Sequence, residues 1–163
     1  MSSLTSDGLT PQLYLACMRG FAQAYAHVDK VIEDAETNDL PVVSESYTNR
    51  SQWLNSYLPA ELPDLALQIR LSGAEYYGAR YVVEGSTMGA KLILKRLSQP
   101  GLDLDLTFWE NQVSMSRGWA RYCEDLNLAL ITEAQRQRAL KGACSVYELL
   151  LSTFNPESYL NNA

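Results

Sequence analysis

The chain has one histidine, His27, and that scarcity excludes several kinds of site at once. Neither a Glu-x-x-His di-iron pair nor a His-Glu-x-x-His zinc site can be built from it. Cysteine is nearly as scarce. Cys17, Cys123 and Cys144 are odd in number, widely spaced and free of any Cys-x-x-Cys pair. They suit neither a disulfide framework nor a zinc site, and they are expected to be buried free thiols. No metal ligand is assigned. Basic charge is short too: 13 Lys and Arg against 19 Asp and Glu leave a net charge of −6. That balance argues against nucleic acid and against an anionic membrane surface. No apolar run approaches the ~20 residues of a membrane span. Met1-Ser2-Ser3-Leu4-Thr5-Ser6-Asp7 has neither a basic region nor an apolar core, so it is not a signal peptide and the expected location is the cytoplasm.

What is present suits one packed domain. Hydrophobic residues make up 47% of 163, enough for a real core. Residues 1–163 are expected to form a single domain, with 1–9 flexible. No segment sustains period-two alternation, so the fold class is all-α. Thr10-Pro11 opens a first helix, a capping hydroxyl followed by proline at the first helical position. Apolar spacing carries that helix to about Glu36. A loop over Leu40–Tyr47 follows. Thr48 is expected to cap a short helix with Trp53, Leu54, Tyr57 and Leu58, and residues 62–71 to hold another helical piece. Ser72-Gly73-Ala74-Glu75 has the capping-box form and opens a long helix to about Leu97. Pro100-Gly101 marks a turn. Phe108 and Trp109 are expected in a loop, before a helix starting at Ser114 or Ser116. Thr132-Glu133-Ala134-Gln135, a second capping box, opens the last helix, which ends near Phe154.

The long helix holds the most informative stretch, Gly78-Ala79-Arg80-Tyr81-Val82-Val83-Glu84-Gly85-Ser86-Thr87-Met88-Gly89-Ala90-Lys91-Leu92-Ile93. Each interior glycine costs a helix about 1 kcal/mol relative to alanine. Gly85 and Gly89, four apart, imply close approach of another helix or of a flat ligand. Gly85 to Lys91 does not make a phosphate loop, because the spacing is wrong, Leu92 follows the lysine and no strand precedes.

Tyr81, Val82, Glu84, Gly85, Ser86, Thr87, Gly89 and Ile93 resemble the distal-helix signature of bacterial biliverdin-forming haem oxygenases. Ala90 stands where that family more often has a second glycine. The order of Trp53-Leu54, Leu62-Pro63-Asp64-Leu65, Phe108-Trp109 and Trp119 around the signature resembles the same family. The resemblance implies a single-domain haem oxygenase-like helical bundle whose glycine helix bends near Gly85–Gly89. It implies haem as the bound group, with Gly85, Ser86, Gly89 and Ala90 on its face. Arg138 and Lys141, on an otherwise solvated helix face, are the candidates for holding its propionates.

The sequence departs from the family at its start. The helix beginning at Thr10, with Tyr14, Met18, Phe21 and Asp29, resembles the family's second helix, and the first, which carries the iron-binding histidine, is expected to be absent. His27 does not match that histidine and is not given its role. Two functions follow. One is opening of haem to biliverdin with O₂ and an external reductant. The other is a non-catalytic protein that binds a tetrapyrrole or a protein partner. Glu84 is read as a structural partner of Arg80 before it is read as an acid. Tyr77 and Tyr81 share a helix face. A missing first helix would bare apolar surface, so a twofold homodimer burying at least ~1,000 Å² is expected.

Overall fold

The computed structural model describes Leu4 and residues 8–35, 46–60, 69–99, 101 and 103–154. Among the described residues there are five α-helices and no β-strand: α1 (Pro11–Glu33), α2 (Ala74–Leu97), α3 (Thr107–Met115), α4 (Trp119–Ala129) and α5 (Glu133–Thr153). None of these helices is long and apolar enough to cross a membrane. Leu4, within the stretch expected to be flexible, is buried in the core.

Local chemistry sets most helix starts. Thr10 is extended and its Oγ1 accepts the Leu13 N–H at 3.1 Å, with Pro11 opening α1. Such a cap stabilises a helix by about 1 kcal/mol. At α5 the box is complete: Thr132 Oγ1 accepts the Gln135 N–H at 3.2 Å, and Gln135 Oε1 accepts the Thr132 N–H at 2.8 Å. At α2 it is half formed. Glu75 Oε2 accepts the Ser72 N–H at 3.2 Å, but Gly73, at φ 53°, is the capping residue and no side chain caps the first turn. The positive φ favours glycine and turns Ser72 out of line with the helix.

Four expectations need correction. The helix expected after Thr48 is two single 3-10 turns, Ser51–Trp53 and Asn55–Tyr57, with no side-chain cap. Arg50, buried just before them, pulls the chain inward and interrupts helical continuity. Phe108 and Trp109 lie inside α3, not in a loop. Leu106, at the N-cap, supplies no side-chain cap, but Asp105 Oδ1 accepts the Thr107 N–H at 3.0 Å, and the helix buries Phe108, Trp109 and Gln112. Of the three cysteines only Cys17 is buried; Cys123 is half-buried and Cys144 exposed. Finally, α1 ends at Glu33, capped by the Asp34 N–H. The expected loop over 40–45 and the helical piece over 61–68 lie outside the described residues, while residues 69–71 are not helical.

α2 is the axis of the molecule, packed chiefly on α5 and also on α3, α4 and α1. The crossing with α5 is a backbone contact. A Cβ added to Gly78 would stand 1.6 Å from Ala139 O, and one added to Gly142 would stand 2.0 Å from Glu75 O. On the far side of the core, α1 contributes Phe21, which packs on Tyr25, Phe108, Trp109 and Phe154 with ring centroids 4.7–6.3 Å apart. Tyr14, also on α1, donates its O–H to the Asp105 carbonyl at the approach to α3.

Candidate functional site

Past its contact with α5, α2 presents the glycine signature on two different faces. Gly85 and Gly89 are one turn apart and share a side with Tyr81, Met88 and Leu92. This side is open. Tyr81 is 46% exposed, Met88 55% and Leu92 70%. Gly85 is covered by Trp119, whose ring would be 3.1 Å from an added Cβ, and Tyr81 packs on the same ring at 5.0 Å. Gly89 differs: among the described residues nothing lies within 4 Å of where its Cβ would be. Ser86 and Ala90 turn the other way. Ala90 is buried in the core. Ser86 Oγ donates to Val83 O at 2.7 Å, so the Tyr25 hydroxyl, 3.1 Å away, donates to Ser86. Burial raises the Tyr25 pKa, against smaller lowering effects of Ser86 and of the Arg50 charge, and the phenol stays protonated. Of the four residues expected on one ligand face, two therefore line the open side and two anchor the helix behind it.

That anchor continues into a buried ionic layer. Glu84 receives Arg50 Nη2 at 2.7 Å on one oxygen and Arg80 Nη2 at 3.2 Å on the other. The Arg50 side chain is fully buried and also donates to Thr48 O at 2.6 Å. Asp29 on α1 accepts Tyr47 O–H at 2.5 Å and the Ser51 N–H at 2.7 Å. Burial, then the Asp29 charge, drives the Tyr47 pKa far up. The Arg80 guanidinium lies over the rings of Tyr47, Tyr76 and Tyr122, at 5.1–5.8 Å from their centroids. The Arg80–Glu84 pair was legible as an i, i+4 spacing. Arg50 was not: in Thr48-Asn49-Arg50-Ser51 it looks like an ordinary solvated arginine, and only the fold brings it to Glu84. Tyr77 is buried and its carbonyl accepts the Tyr122 O–H at 2.7 Å, so it serves packing while Tyr81 on the same side reaches the open half.

The two basic candidates sit elsewhere. Arg138 Nη2 donates to both Ser72 O and Ser72 Oγ at 3.1 Å, and Lys141 Nζ is 3.3 Å from Glu75 Oε1. Glu75 is in the first turn of α2 and Gly89 lies fourteen residues further on, about 21 Å along a helix rising ~1.5 Å per residue. The structure thus brings Arg138 and Lys141 to the start of α2 and not to Gly85–Gly89. The basic residues that continue the open side are Lys95 and Arg96, three and four positions past Leu92 and both exposed. His27 is half-buried on α1, two positions and therefore about 200° around the helix from Tyr25, so it points away from Ser86.

The exposed side of α2 is therefore apolar, and among the described residues it leaves the helix backbone uncovered at Gly89. The family model described as Heme oxygenase matches residues 39–155, well over half of the chain. A protein named heme oxygenase from Xanthomonas campestris pv. campestris (strain 8004) is 35% identical over 78 residues, covering 47% of this chain and 47% of that protein. The matched stretch spans less than half of that relative's length. No solved structure matches. The glycine signature on α2 lies inside the matched region, and the chain belongs to the heme oxygenase family.

Proposed function

We propose that the open half of α2 binds a tetrapyrrole, haem being the one the family implies, and that O₂- and reductant-dependent opening of the ring to biliverdin is the activity it serves. The observation that carries this is Gly89. It is a helix-interior glycine, unfavourable by about 1 kcal/mol, and among the described residues no atom lies in the space it leaves. The residues present suit such a group. Tyr81, Met88 and Leu92 offer apolar contact along one side of a ring, and Gly89 lets it approach the backbone. Lys95 and Arg96 would meet its carboxylates, a role that suits them better than Arg138 and Lys141, which brace the α2–α5 pair. Bound haem would supply the iron for oxygen chemistry. The chain's own part is to hold the ring flat, keep water from its covered side and fix the Tyr25–Ser86 hydroxyl pair behind the helix.

Haemin titration followed by visible absorption tests the binding. Saturable binding is expected, weakened about tenfold or more by Gly89→Leu and less by Lys95→Glu. Equal affinity of wild type and Gly89→Leu would sink the proposal. Biliverdin formation with ascorbate or a reductase tests the activity.

The non-catalytic alternative is favoured by one feature: His27, the one histidine of the sequence, lies on α1, the helix whose Tyr25 meets Ser86 behind α2 and not on its open side. On that account haemin binds without histidine ligation, His27→Ala leaves its spectrum unchanged, and no biliverdin forms. A histidine-ligated spectrum lost in His27→Ala would exclude it.

A further inference from the structure

The side of α5 turned away from α2 carries a second pattern. Ala139, Gly142, Val146, Leu149 and Thr153 are buried. On the opposite side Leu140, Cys144, Tyr147 and Leu151 follow one another at spacings of 4, 3 and 4 residues. Leu140 is 57% exposed, Tyr147 57% and Leu151 61%, and the Cys144 thiol is exposed between them. This is the spacing of a coiled-coil seam, with Leu140 and Tyr147 at d positions and Cys144 and Leu151 at a positions.

The flanking charges choose the occupant. In the same heptads Lys141 and Glu148 fall at e, and Arg136 and Ala143 at g. Two parallel copies would bring each g residue against the next e residue, placing Arg136 beside Lys141, two like charges. Two antiparallel copies bring e against e, placing Lys141 of each copy beside Glu148 of the other. The same orientation stacks Leu140 on Leu151 and Cys144 on Tyr147, and opposes the helix dipoles. Lys141 already touches Glu75 at 3.3 Å, but its side chain is 74% exposed and keeps ammonium protons for a second carboxylate.

We propose that α5 is the seam of a twofold antiparallel homodimer of this chain. The seam is only three turns long, so the buried area falls near the ~1,000 Å² floor of specific interfaces and association is weak, with dissociation in the micromolar range. The dimer uses the face of α5 opposite α2 and leaves the Gly89 side free.

Sedimentation of the full chain between about 1 and 100 µM tests this. The expected result is a concentration-dependent rise from 18.2 kDa toward twice that mass. Tyr147→Glu should abolish it, and Glu148→Lys should weaken it about tenfold or more. The double change Lys141→Glu with Glu148→Lys should restore it. Circular dichroism of Tyr147→Glu, Glu148→Lys and Cys144→Ser should match wild type, since these side chains are exposed. Lys141→Glu also removes the contact with Glu75, so the double variant is compared with Lys141→Glu alone. A short bismaleimide should cross-link wild type through Cys144 and fail with Cys144→Ser. A monomer at about 100 µM, a dimer indifferent to Tyr147→Glu, or a cross-link that persists in Cys144→Ser overturns the proposal. Failure of the charge exchange to rescue overturns the antiparallel orientation.

Discussion

Gly78 and Gly89 are on the same helix, and a methyl group added to each would meet opposite fates. At Gly78 it would collide with the Ala139 carbonyl, 1.6 Å away; at Gly89 it would meet no atom within 4 Å. The first half of α2 is closed by backbone contact with α5, with Gly142 as the matching notch. The second half is anchored from behind by Ser86 and Glu84 and left open in front. The same residue type thus serves helix packing in one half and leaves an unfilled surface in the other. The close backbone packing that seemed available to Gly85 and Gly89 is performed by Gly78 and Gly142, while Gly85 admits only the Trp119 ring and Gly89 stays open.

The contrast can be broken most severely at its closed end. Gly78→Ala forces α2 and α5 apart at a rigid carbonyl, an overpacking cost of about 3 kcal/mol or more. The expected outcome is a protein that is largely unfolded or insoluble, and a thermal melt matching wild type would show the crossing to be looser than described. Glu84→Ala acts at the boundary of the halves. It leaves Arg50 buried without its carboxylate, so a loss of about 3 kcal/mol is expected in urea unfolding, with Glu84→Gln losing less.

Gly89→Ala sharpens the contrast, because its effects on stability and binding should have opposite signs. Helix propensity predicts a gain of about 1 kcal/mol, or ~2–4 °C in melting temperature. Haemin affinity should fall at the same time. A destabilised Gly89→Ala protein would mean that the open side is filled. The smallest effect concerns pH at the start of α2. Burial alone would raise the Glu75 pKa, but the Ser72 N–H, Lys141 and Arg138 outweigh it and hold the value below the ordinary 4.5. A depressed carboxylate stabilises the fold above its unfolded pKa, and that share is lost as pH falls through the folded value. Stability should therefore decline as pH drops below about 4.5, and Glu75→Gln should flatten that limb of the curve.

Much of the architecture was legible because it depends on neighbours in the chain. Thr10-Pro11 and Thr132 to Gln135 mark helix starts through bonds three residues long. The glycine signature pointed to α2 and to the family. α3 was missed because its start is marked only by Asp105, whose carboxylate accepts the Thr107 N–H, with no capping box, and because Phe108 and Trp109 are fixed by packing on Phe21 from α1. Arg50 was missed because its partner is 34 residues away. Ser86 and Ala90 were grouped with Gly85 and Gly89 because they adjoin them in sequence, while the helix turns the two pairs to different sides.

The sequence by itself determined the all-α class, the capped starts of α1 and α5 and the family signature on α2. Each rests on periodicity or on hydrogen bonds closed within one turn, which neighbouring residues supply. Only the tertiary structure decided which glycine is closed and which is open, and which arginine Glu84 neutralises besides Arg80. Clearance around a glycine depends on where another helix crosses, and the partner of a buried charge depends on which distant segment is folded over it.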